Sequence, residues 1–130
     1  MDALFEAARQ ASQNAYCPYS RFRVGAAILG RSGTIYRGCN VENASYGLTI
    51  CAERGALMQM VASGEQSFQR IVIYTPTATP TAPCGACRQM LYEFAPDAEV
   101  LSICDGEDEL RAKVAELLPH GFGPHNLTST

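Results

Sequence analysis

The sequence predicts an α/β protein of three layers, α/β/α, with helices packed on a mixed sheet. Three observations carry this. Apolar residues recur at helical spacing over 2–14, 50–62 and 84–95. Short β-branched runs at 22–29, 35–41, 70–75 and 99–104 read as strands. The two kinds alternate as α-β-β-α-β-α-β, the order of a layered sheet rather than of a bundle or a sandwich.

The first helix, 2–14, places Leu4, Phe5, Ala8 and Ala11 on one stripe behind Asp2. The proline of "CPYSRF" interrupts it. "FRVGAAIL" and "IYRGCNV" flank "GRSG", which is turn chemistry, so a hairpin is expected. "NASYG" reads as loop. Thr49 is the expected N-cap of the second helix, and Gly64 its end. "RIVIYT" is a buried strand, and the three prolines of 76–83 demand a loop. The third helix opens on Cys84 and stops at Pro96. Residues 109–119 fit a strand by Leu110, Ala112 and Val114, and a helix by Leu110, Val114, Leu117 and Leu118; periodicity leaves both open. A polar tail at 128–130 is expected to be loose.

The 130 residues suffice for one domain spanning 1–130. A net charge of −3 and the lack of a Lys/Arg run argue against a nucleic-acid surface, so a small substrate is expected. No segment approaches the ~18 apolar residues of a membrane span, and "MDALFEAARQ" lacks the order of a secretion signal. A cytoplasmic setting is expected, where thiols stay reduced. The six cysteines, at 17, 39, 51, 84, 87 and 104, are therefore read as metal ligands or core rather than as disulfides.

Cys84 and Cys87 lie one helical turn apart at a helix start, where unpaired N–H groups favour thiolates. Cys51, at the start of the preceding helix, is the candidate third ligand. Three protein ligands with an open fourth position mark a catalytic rather than a structural zinc. Cys17, Cys39 and Cys104 fall in turn or strand patterns as ordinary buried residues, and His120 and His125 bear no spacing relationship to the trio. Glu53 lies two residues beyond Cys51. Cys-x-Glu followed by Pro-Cys-x-x-Cys is the spacing used by zinc deaminases. Other readings remain open on these residues: a redox C-x-x-C, a structural zinc site lacking a visible fourth ligand, a deaminase editing nucleic acid, and one acting on a base-containing antibiotic.

"NVENASYGLTICAER" (40–54) and "PCGACRQ" (83–89) resemble the short-chain, homotetrameric cytidine deaminases. The likeness extends to "YCPYSRFRVGAA" (16–27) and "ELLPHGFGPHNL" (116–127). Gly55 departs slightly, since a threonine or another small residue is more usual there. The resemblance implies a five-stranded mixed sheet of the cytidine deaminase type, one Zn²⁺ per chain, and deamination of cytidine and 2′-deoxycytidine in pyrimidine salvage. It implies no nucleic-acid or membrane partner, and a homotetramer with active sites completed by neighbouring subunits.

In that frame Cys51, Cys84 and Cys87 hold the metal. Glu53 carries protons from water to ring N3 and to the departing amine; by itself it is a first-turn carboxylate complementing the helix dipole. Arg54 offsets the excess charge of three thiolates on a divalent ion, and the family's matching arginine bonds cysteine sulfurs; by itself it is equally a solvated surface residue. Asn40 and Glu42 are implied to bind the ribose 3′-OH, against a local reading as an Asx-type turn. Phe22 is implied to line the pocket, against a reading as core. The Ala52 N–H and carbonyls near Ala44 are implied to read the base edge. Phe122 is implied to stack on the pyrimidine of a neighbouring subunit, against a reading as an anchor of the tail. Tyr46 is expected to contribute across an interface as well.

Overall fold

A computed structural model describes residues 2–128. The first helix, α1 (Ala3–Ser12), starts on Asp2, whose Oδ1 accepts the Leu4 N–H at 2.8 Å. It ends earlier than 14 because the Arg23 guanidinium takes the carbonyls of Gln13 and Ala15, both at 3.1 Å. Strands β1 (Gly25–Gly30) and β2 (Ile35–Cys39) form the expected antiparallel hairpin, with Ala27 opposite Arg37. Gly33 makes its turn at φ +91°, a conformation glycine adopts without strain.

Helix α2 (Ala52–Ala62) closes on Gly64 at φ +97°. Strand β3 (Phe68–Tyr74) follows, then α3 (Gly85–Phe94), β4 (Glu99–Ile103), β5 (Leu110–Lys113) and a short α4 (Pro124–Thr128). The sheet order is β2-β1-β3-β4-β5. Within this sheet β3 and β4 pair in parallel, with Val72 beside Leu101, and the other strand pairs are antiparallel. The expected mixed five-stranded sheet is therefore present.

Alternation along the strands sorts the core into two layers. Ala26, Ile28, Ile71, Ile73 and Val100 face α2 and α3, meeting Ala56, Leu57, Met60 and Leu91. Ala27, Val72, Leu101 and Ile103 face the other way, onto Leu4, Ala7 and Ala8 of α1. Two glycines set the spacing of these layers. A Cβ on Gly25 would collide with the Ala8 carbonyl, and one on Gly38 with the Ala52 carbonyl and the Ala56 nitrogen.

Three expectations change. Thr49 does not cap α2. It closes a 3-10 turn over Tyr46–Leu48, and Cys51 is the N-cap residue. The cause is a backbone pairing of Ile50 with Val41, at 2.9 and 3.0 Å, which keeps residue 50 extended. The 22–29 strand starts only at Gly25, because residues 22 and 24 bond the Asn40 side chain instead of a neighbouring strand. Residues 109–119 are both strand and turn: β5 pairs with β4, then Val114–Leu117 coil into a 3-10 turn that buries Val114. Of the polar tail at 128–130, residues 129 and 130 lie outside the described residues, and Thr128 ends α4.

Candidate metal centre and substrate cleft

Strands β2 and β3 are each followed by a loop and then a helix, and the two helices begin side by side. Each starts on a cysteine, Cys51 for α2 and Cys84 for α3, and Cys87 sits one turn into α3. The three sulfurs lie within 4.8 Å of one another, Cys51 to Cys84 at 3.9 Å and Cys84 to Cys87 at 3.4 Å. A disulfide needs about 2.05 Å. A tetrahedral zinc with Zn–S bonds of ~2.3 Å sets its sulfurs about 3.8 Å apart. The trio fits that ion. Among the described residues no fourth His, Cys, Asp or Glu joins it. Cys17, Cys39 and Cys104 stay outside the cluster; the Cys104 thiol instead faces the Asp108 carbonyl at 3.4 Å.

The thiols are electrostatically unequal. Hydrogen bonding from Cys87, helped by Arg54, brings the Cys51 thiol down to about 5 against the opposing effect of burial. Cys87 is pushed up, first by its bond to Cys51 and then by burial. Charge therefore gathers first on Cys51. Arg54 lies 3.5 Å from that sulfur and also donates to the Thr49 carbonyl. Its Nε is buried and has no hydrogen-bond partner among the described residues. Arg88 braces the other side, giving its Nε–H to the Pro83 carbonyl at 2.8 Å and Nη1 to the Leu117 carbonyl.

A cleft of about 240 Å³ opens beside the sulfurs, lined by Phe22, Asn40, Glu42, Cys51, Ala52, Glu53 and Cys84 among others. Glu53 is only 5% exposed although it lines the cleft, and burial raises its pKa. A deeply seated carboxylate beside a metal-ligand cluster is the arrangement for proton transfer.

Two polar side chains shape the opposite wall. The Asn40 amide donates to the Phe22 carbonyl at 2.7 Å and accepts the Val24 N–H at 2.9 Å. Glu42 accepts the N–H groups of Tyr19 and Ser20 at 3.0 and 3.1 Å on one oxygen, and the Ser20 hydroxyl on the other. These contacts hold its carboxyl below the usual range, Ser20 foremost.

The geometry gathers most of the expected site. Ala44 stands outside the lining. Tyr46 lines an outer chamber that shares Ser20, Glu42 and Thr49 with the cleft, and its ring meets Tyr19 edge-on at 5.8 Å. Phe122 does not line this chain's cleft. It is 58% exposed, with its carbonyl held by Gln89 at 2.8 Å. Sequence reasoning missed Ser20, Val24, Thr49, Ile73, Thr81 and Ala82 as lining residues. Thr81 and Ala82 were signalled by their position just ahead of Cys84, and Ser20, Val24 and Thr49 by lying within the family-like stretches 16–27 and 40–54; Ile73 carried no such signal.

Residues 1–103 match the family model described as the cytidine and deoxycytidylate deaminase zinc-binding region. The chain belongs to the cytidine and deoxycytidylate deaminase family. A cytidine deaminase of Sporosarcina psychrophila is 40% identical across 98% of this chain and 95% of its own. One from Halalkalibacterium halodurans is 44% identical across 92% and 91%. The crystal structure of cytidine deaminase from Burkholderia pseudomallei overlays with a TM-score of 0.89 at 46% identity, covering 92% of this chain and 97% of that one. The matched zinc-binding region spans Cys51, Cys84 and Cys87, whose sulfurs form the candidate metal site.

Proposed function

We propose that the protein is a zinc-dependent cytidine deaminase, converting cytidine and 2′-deoxycytidine with water to uridine and 2′-deoxyuridine and releasing ammonia. The observation that carries this is the meeting of three cysteine sulfurs from two helix starts with a buried carboxylate, Glu53, in one cleft.

Cys51, Cys84 and Cys87 would hold the ion. When bound, zinc lowers the pKa of water so that a nucleophile forms near neutral pH. Glu53 receives the proton that water gives up and delivers it to ring N3 as C4 becomes tetrahedral. It then takes the proton of the new C4 hydroxyl and passes it to the amine, so that the C4–N bond breaks, the C4 carbonyl forms and ammonia departs. Burial favours this by keeping the carboxylate poised to take up a proton. Three thiolates on a divalent ion sum to one negative charge, and Arg54 beside Cys51 offsets it.

A count of hydrogen-bonding capacity supports ribose recognition. A carboxylate offers about four acceptor positions and an amide NH₂ offers two donors. Glu42 uses three of its positions and Asn40 one of its donors. One acceptor and one donor remain, the complement of a sugar hydroxyl, which both gives and takes a hydrogen bond. Phe22 would supply the apolar wall, and the Ala52 N–H, at the start of α2 in the cleft lining, would read the base edge.

The active unit is a homotetramer in this reading. An apolar groove between α2 and α3, lined by Leu57, Met58, Val61, Met90 and Phe94, suits a second copy of the chain. Phe122 and Tyr46 are exposed and free to complete a neighbour's site. The setting is cytoplasmic pyrimidine salvage; among the described residues no helix is long and apolar enough to cross a membrane.

The test is direct. Cytidine incubated with the purified protein should show the ultraviolet change to uridine with stoichiometric ammonia, and chelation should stop it. Glu53→Gln should keep its zinc and lose roughly 10²–10⁴-fold in kcat. Near-normal turnover in that variant would end the assignment of Glu53.

A further inference from the structure

One wall of the cleft comes from segment 19–24, which belongs to no strand and brings Ser20, Phe22 and Val24 to the lining. The Asn40 amide holds Phe22 and Val24, and one hydroxyl fastens the segment to Glu42. Ser20 Oγ gives its proton to Glu42 and accepts the Phe22 N–H at 3.0 Å. Between these two contacts lies Arg21, at φ +58°, a left-handed conformation that non-glycine residues avoid without support. Ser20 lines both the cleft and its outer chamber.

A serine hydroxyl has one proton. Here it is committed to the Glu42 oxygen that the two backbone N–H groups leave uncovered. The remaining acceptor position of that oxygen is thereby the one left for a ligand. We infer that Ser20 is a positioning residue for sugar-hydroxyl recognition, aiming the free acceptor of Glu42; the Phe22 backbone keeps its separate hold on the Asn40 amide. This rests on the deaminase reading above.

Without the Ser20 hydroxyl, Glu42 loses its only side-chain donor among the contacts that hold it. The carboxylate then turns between its backbone contacts and water. Binding of the hydroxyl suffers, whereas chemistry at the far end of the cleft, where Glu53 and the sulfurs sit, is untouched.

The experiment compares wild type, Ser20→Ala, Ser20→Thr and Ser20→Cys on cytidine and on 3′-deoxycytidine. In Ser20→Ala the KM for cytidine should rise about tenfold, the scale of one hydrogen bond to a charged group, with kcat within about twofold. On 3′-deoxycytidine the constants should barely move, so the preference for the 3′-hydroxyl shrinks about tenfold. Ser20→Thr should restore that preference. Ser20→Cys, of similar size but a weaker donor, should fall between and serves if the alanine variant does not fold. An unchanged preference in Ser20→Ala, or an equal loss on both substrates, would overturn the role of Ser20 while leaving the deaminase reading intact. A zinc-loaded wild type inert on cytidine would overturn both.

Discussion

The Arg54 guanidinium sits 3.5 Å from the Cys51 sulfur, a thiol that hydrogen bonding from Cys87 and Arg54 holds well below its usual range. One helical turn brings it there, because Cys51 is the N-cap and Arg54 lies in the first turn of the same helix. Groups that touch metal ligands without binding metal commonly tune activity 10–100-fold. Arg54→Gln should therefore retain zinc, measured by elemental analysis, and lose roughly 10–100-fold in kcat. Full activity in a zinc-loaded Arg54→Gln would reduce the contact to packing.

Cys87 is fully buried behind the cleft, so it ties the ion to the core rather than to solvent. Cys87→Ala should bind no zinc. It should melt on the order of 10 °C below the metal-loaded wild type, since ligand affinity adds directly to folding stability. The sharper check is convergence: a chelator should lower the wild-type Tm and leave that of Cys87→Ala unmoved.

Gly38 and Gly55 face each other where β2 meets α2, yet they differ in the room around them. A Cβ on Gly55 would lie 3.6 Å from Gly38 Cα, an ordinary contact. Gly55→Ala should thus stabilise by about 1 kcal/mol through helix propensity, a Tm gain of about 3–4 °C. A Cβ on Gly38 has no such space, and Gly38→Ala should lower both Tm and kcat by lifting the helix that bears Cys51 and Glu53. Calorimetry on the two variants decides it, and equal shifts would contradict the packing argument.

Phe122→Ala should raise KM for cytidine about tenfold, the scale of ~1.4 kcal/mol, with the oligomer unchanged by size exclusion. An unchanged KM would return Phe122 to an anchor of the tail.

Glu65 fastens the β1–β2 turn. Its carboxylate accepts the Ser32 N–H at 2.8 Å and the Tyr36 hydroxyl at 2.7 Å. These contacts lower its pKa below the ordinary 4.5, the Ser32 N–H most of all. A lowered folded-state pKa stabilises above the unfolded value and is lost as pH falls through the folded one. Glu65→Gln should therefore be less stable than wild type at pH 7, with the difference closing below about pH 4.5. Urea midpoints at pH 7, 5 and 3 measure it, and a gap independent of pH would rule out the charge as its source.

The layered architecture and the convergence of Cys51, Cys84 and Cys87 were legible because they are written in local pattern: period, cysteine spacing, a proline before Cys84. What escaped depends on distant pairing. Thr49 looked like a cap until Val41 claimed Ile50. The double reading of 109–119 was a true ambiguity, since Leu110 to Lys113 become strand only through β4. Asn40 and Glu42 were placed at the cleft by resemblance, but their binding of segment 19–24 was hidden because its partners lie 16–23 residues away. Ser20 lies within the family-like stretch 16–27, but its fastening of Glu42, 22 residues away, could not be read there.

The sulfurs of Cys51 and Cys84 belong to residues 33 apart in the chain. An ion seated between them is a cross-link, and on the chain-entropy model closing a loop of that size restrains the unfolded ensemble by roughly 3–4 kcal/mol. Unlike a disulfide, this staple needs no oxidant to form, and it opens to acid or a chelator. The durability of the molecule is thus tied to the supply of metal.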